Sequence, residues 1–150
     1  MVFYGVSQKQ GVGDISIVGE LHWLSITGAA LAYYILGAVW FSPFTFGGLW
    51  DKSLGFDRPK SWRPAKIYYL GPLAGCFLAA LATDVLLVLA NVRMISDAVL
   101  LGVTAGTGYA AAVSFVNAIT PNNANPILYG LVTGSYHLAG VVLCAVILVI

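Results

Sequence analysis

Two ionisable side chains stand inside long apolar runs of this sequence: Asp84, within residues 66–90, and His137, within residues 127–149. A carboxylate and an imidazole are the groups that act as acid and base, relay protons or meet a cation. A charged Asp at the centre of a membrane helix costs about 2.5–3.5 kcal/mol on insertion scales, so such residues face protein or water. Helix rise places Asp84 roughly 9 Å from the middle of its run and His137 close to the middle of its own. At the depth of Asp84 the other polar groups are Ser25, Thr27 and Thr104; at the depth of His137 they are Tyr33, Thr107 and Tyr109. Two polar layers are therefore expected rather than one Asp–His dyad. The plainer reading is that hydroxyls satisfy Asp84 and His137 and hold helices together.

No other pattern carries chemistry. There is no P-loop, no dinucleotide fingerprint and no nucleophile elbow. Glu20-Leu21-His22 offers two ligands at most, short of a zinc site, and reads as a polar collar around Trp23. Gly11-Val12-Gly13 lacks the strand–turn–helix setting of a phosphate loop. Cys76 and Cys144 lie in apolar runs and read as small packing residues. No catalytic residue, metal or cofactor is expected.

The elements that must position these groups are dictated by composition. Of 150 residues, 59% are hydrophobic and 9% charged, against about 25% charged in soluble domains. A fold this short cannot hide so much apolar surface from water, so a lipid bilayer is the expected partner. A net charge of +1 offers no basic patch for nucleic acid. Four apolar stretches, about 22–42, 66–90, 96–118 and 127–149, each reach the roughly 20 residues that span a bilayer. The class is all-α, a single four-helix transmembrane domain over 22–150 behind a tail over 1–21. That tail lacks a continuous apolar core, so the first span is expected to serve as its own insertion signal. Asn125 and Pro126 predict the cap and first turn of the last span.

Lys52, Arg58, Lys60, Arg63 and Lys66 gather between the first two spans. The excess predicts that the 43–65 loop is cytoplasmic, with both termini opposite. Aromatic residues crowd the same loop and predict an interfacial helix or turn after Pro43, with Trp40, Phe41, Pro43, Phe46 and Trp50 as interface anchors. Three small-xxx-small pairs, Gly71–Gly75, Gly102–Gly106 and Gly130–Gly134, predict close helix packing. His137 continues the last of these stripes. In the second span Gly75 and Asp84 fall on opposite sides. That span should therefore separate the bundle from a polar cavity or a second protomer.

Trp40-Phe41-Ser42-Pro43, Phe46-Gly47 and Trp50 together resemble the signature that closes the first helix of a family of small membrane proteins catalogued as domain of unknown function number 1761. Asn117 and the Gly134-x-Tyr136-His137 group extend the resemblance, which covers about residues 22–149. It implies a four-helix membrane domain and no particular activity. The N-terminal extension and the Asn-rich loop at 120–125 are less typical of it.

Three functions are compatible with these features. The first is a non-enzymatic structural or accessory membrane component, homo-oligomeric or part of a larger membrane complex. The second is a small transporter or channel component in which Asp84 couples to protons or cations. The third is a cofactor-independent membrane enzyme acting on a lipidic substrate.

Overall fold

The computed structural model describes residues 19, 21–59 and 61–150; most of the 1–21 tail, with Glu20 of the expected collar, lies outside the described residues. Among those described there are five helices and no strand. They are α1 (Trp23–Trp40), α2 (Gly47–Leu54), α3 (Ile67–Leu89), α4 (Ile95–Ala118) and α5 (Pro126–Val149). All but α2 are long and apolar enough to cross a membrane, with bounds within two residues of those read from sequence.

The helix ends have local causes. α1 stops at the Trp40–Trp50 corner, where Thr45 Oγ1 donates to the α1 carbonyls of Val39 and Trp40, the latter at 2.7 Å. Gly47 is required there, since a Cβ would strike the Phe41 and Ser42 carbonyls. α2 closes on Gly55, at φ 66°, a left-handed conformation that costs glycine little. α3 ends where Asn91 N donates to Val88 O (3.0 Å) and Val92 N to Leu87 O (2.9 Å), the Schellman pattern. Asn125 caps α5 as expected, its side chain accepting from Leu128 N at 3.1 Å with Pro126 in the first turn.

α5 is the hub: α1, α2, α3 and α4 all pack on it. One core joins Ile26, Ala29, Ala30 and Tyr33 of α1 to Cys76 and Ala80 of α3 and Tyr136 and Cys144 of α5. A smaller one joins Leu87, Ala98 and Ala145 of α3, α4 and α5. α4 otherwise leans on α5 alone.

The α4–α5 contact explains an irregularity in α4. Gly106–Ala111 is a π-helix, whose i→i+5 bonds bring residues five apart onto one side. In an α-helix, five residues would rotate about 140° off the face. Here Gly102 and Gly106 lie against Val142 and Leu138, and Ala111 and Phe115 lie against Gly134 and Gly130. The five-residue step from Gly106 to Ala111 is the π turn, and it keeps both halves of α4 in contact with α5.

Candidate functional site

Cys76, Ala80, Thr83, Asp84 and Leu87 form the inward stripe of α3, at the three- and four-residue spacing of one helix face. Asp84 is 2% exposed, and its Oδ2 accepts from the backbone N–H of His22 at 3.4 Å. His22 is the N-cap position of α1 and contributes no side-chain cap. The first N–H groups of a helix lack partners within it and carry partial positive charge. Asp84 therefore supplies from α3 the acceptor that the start of α1 lacks. The contact is long for a hydrogen bond, so the field of the helix end adds to it.

The threonines expected beside Asp84 do not join it. Thr27 Oγ1 donates to Trp23 O at 2.9 Å and Thr104 Oγ1 to Leu100 O at 2.8 Å. Each is exposed and satisfied by its own preceding turn.

His137 sits lower in the bundle, with Nδ1 2.6 Å from Tyr33 Oη. Tyr33 was expected at this depth. Thr107 and Tyr109, expected with it, are exposed on α4, Tyr109 by 76%. Tyr136 Oη approaches Cys76 Sγ (3.6 Å) and Tyr33 O (3.5 Å), and Cys144 Sγ approaches Ala29 O (3.6 Å). Since His22 and Tyr33 lie eleven residues apart on α1, the Asp84 and His137 partners are separated by about 16 Å of helix rise. They form two layers and do not converge on one site.

A reciprocal fit holds the lower layer. The ring of Tyr33 covers Gly140, and the hydroxyl of Tyr136 covers Gly37, where an added Cβ would lie 2.7 Å from Tyr136 Oη. Both helices thus carry Tyr-x-x-x-Gly, and because they run antiparallel each Tyr fills the space left by the other's Gly. Sequence reasoning overlooked this pairing, although the matching Tyr33/Gly37 and Tyr136/Gly140 spacings were there to find.

The glycine pairs divide. Gly102–Gly106 and Gly130–Gly134 form the close α4–α5 contact expected of them. Gly71–Gly75 does not pack within the bundle: both are exposed, and an added Cβ would meet nothing at Gly75 and only Ile67 Cδ1, at 3.9 Å, at Gly71. The reason is the one seen in the sequence, that Asp84 and Gly75 oppose each other. The bundle takes the acidic face, and the glycine face turns outward. His137 also leaves the stripe assigned to it. That stripe runs on from Gly134 through Leu138 and Val142 toward α4, while His137 turns to α1.

The residues read as interface anchors build the Trp40–Trp50 corner. Trp40 Nε1 donates to Val132 O at 3.1 Å. Phe41 stacks edge-on against Tyr136 and Trp50, with centroids at 5.1 and 5.7 Å. Phe46 lies 4.6 Å from the Trp40 ring, and Pro43 is exposed. Ser53 of α2, wholly buried, accepts from Asn125 N at 2.9 Å, which ties α2 to the head of α5.

Among the described residues no three His, Cys, Asp or Glu side chains cluster closely enough to hold a metal ion. Two outward grooves, one between α1 and α3 along Ala30, Leu73 and Phe77, the other between α4 and α5 along Val103, Leu138 and Val142, are lined almost wholly by apolar side chains and include neither Asp84 nor His137.

No curated protein and no solved structure matches the chain. Residues 24–149 match the family model described as "Protein of unknown function (DUF1761)", which takes in all but the first residue of the four membrane-length helices among the described residues, with the Trp40–Trp50 corner, and the chain belongs to that family.

Proposed function

We propose that this protein is a non-enzymatic structural or accessory component of its membrane, acting as a compact bundle that associates with copies of itself or with a larger membrane complex. The observation that carries the reading is the fate of Asp84. An intramembrane acid is by default a site of transport or catalysis, but this one is buried against the start of α1, with the His22 N–H as its partner. His137 is likewise occupied by Tyr33, and neither lines the α1–α3 or the α4–α5 groove. The outward Gly71–Gly75 face of α3 leaves room for close approach of a second helix. The basic 43–65 loop faces the cytoplasm, and both termini lie opposite.

The test is Asp84→Asn against Asp84→Leu in proteoliposomes. Asn keeps an acceptor for the His22 N–H, and the variant is expected to fold and associate like the wild type. Leu removes the acceptor and lowers thermal stability. Neither the wild type nor the Asn variant should move protons or cations. Flux through the wild type that disappears in Asp84→Asn with assembly intact would favour the transporter instead.

A further inference from the structure

The connection between α1 and α3 concentrates charge of one sign. Residues 51–66 hold five of the chain's seven basic residues against Asp51 and Asp57, a net of +3, while the remainder of the chain nets −2. The segment is also folded. Asp51 on α2 takes the Arg58 guanidinium through two bonds, at 3.0 and 2.7 Å. The guanidinium carbon lies 4.8 Å from the centre of a Trp62 ring, within cation–π range. Phe56, Trp62 and Tyr68 continue as edge-on neighbours, with centroids 5.8 and 5.9 Å apart. The loop is thereby folded back onto the head of α3.

Arg58 is used up in this scaffold, its charge matched by Asp51. Lys52, Arg63 and Lys66 are not. All three are exposed; among the described residues Arg63 reaches only the Trp62 carbonyl, at 3.4 Å, and no acceptor is in reach of Lys52 or Lys66. Lys66 is the N-cap position of α3, close in sequence to the exposed rings of Tyr68 and Tyr69, and Arg63 stands three residues before it. Lys52 lies on α2 beside Asp51, the residue that ties the loop to Arg58. Aromatic residues mark the headgroup level of a bilayer, so these cations are held where lipid phosphates lie.

We propose that this face docks anionic phospholipid headgroups, with Lys52, Arg63 and Lys66 as the cations that meet them and the Arg58–Trp62–Tyr68 stack setting their height. Charge complementarity selects this occupant. A positive surface flanked by headgroup-level aromatics matches an anionic leaflet, and prior ordering of the loop lowers the entropic cost of engagement. Asp57, also exposed, opposes the effect but leaves the excess positive.

The test uses the full-length protein in nanodiscs of phosphatidylcholine mixed with phosphatidylglycerol, and counts by native mass spectrometry which lipids stay bound. The wild type should retain phosphatidylglycerol in excess over its share of the disc. The K52Q/R63Q/K66Q variant should lose that excess, at about fivefold per charge removed, whereas R93Q, at the opposite end of the bundle, should keep it. High salt should erode the wild-type excess, an arm that holds even if the triple variant fails to fold. Bound lipid in proportion to the disc, an excess that survives the triple substitution, or an excess indifferent to salt would each overturn the proposal. So would inorganic phosphate that raises the melting temperature as much as phosphatidylglycerol does, since the surface would then bind free anions.

Discussion

Replacing Gly140 by Ala adds one methyl group where the Tyr33 ring of α1 lies against the backbone of α5. Its position falls inside the ring of Tyr33. That ring cannot swing aside: Tyr33 is 2% exposed, its hydroxyl is held by His137 at 2.6 Å and its face meets Tyr136 at 5.2 Å between centroids. The helices must therefore part. Overpacking of this kind costs about 1–3 kcal/mol, and a strained Tyr33–His137 bond adds about 0.6 kcal/mol. The better helix propensity of Ala returns about 1 kcal/mol. Gly28→Ala is the control, since nothing lies within 4 Å of its added methyl group, and it should be neutral or gain about 1 kcal/mol. The two variants should differ by about 1–4 kcal/mol in reversible unfolding, measured by steric trapping in bicelles or by helicity against detergent denaturant. Tyr33→Ala should make Gly140→Ala nearly harmless in a double-mutant cycle, because the obstruction is then gone. Equal stability of Gly140→Ala and Gly28→Ala, or a cycle with no coupling, would refute the interlocking of α1 with α5.

Other substitutions probe different contacts. Tyr33→Phe keeps the ring over Gly140 and removes only the hydroxyl, so it should cost about 0.6–1.7 kcal/mol and shift the imidazole resonances of His137. Deleting Gly108 should convert the π segment of α4 to plain α-helix with both flanks still on α5, and melting should change little. Deleting Leu100 instead should rotate Ala98 away from Ala145, or Gly102 away from Val142, and destabilise the bundle. Gly75→Leu should leave the melting of the isolated bundle unchanged while lowering crosslinked dimer in liposomes. Gly102→Leu, by contrast, should unfold the α4–α5 contact, since even a methyl there would lie 2.9 Å from Val142 Cα.

The spans were legible because a 20-residue apolar run has few alternatives in water. The start of α5 was legible because Asn-Pro is a local signal. Glycine pairs were less so: Gly71–Gly75 and Gly102–Gly106 read alike, and only the neighbouring helix decides which is covered. The partner of Asp84 was invisible for a different reason. Polar side chains at its depth were the natural candidates, but its acceptor role is met by a backbone N–H, which every residue except proline carries. The composition of the Trp40–Trp50 segment suits an interface, but it carries no sign that Trp40 and Phe41 also close on Tyr136 of α5, some 95 residues away. The π turn leaves only a faint trace, a five-residue step in a stripe otherwise spaced by fours.

That α5 is the hub has a consequence for how the protein is made. Tyr33 and His137 are 104 residues apart, and at about 5–20 residues per second the ribosome needs roughly 5–20 s to pass from one to the other. During that interval α1 waits in the insertion machinery or the lipid with its tyrosine unmatched, joined at most by α3, while α4 has only the small Leu87–Ala98 contact with α3. Closure of the bundle is thus deferred until α5 has been made. A chain truncated before α5 would leave three inserted helices with no common core, a natural substrate for membrane quality control.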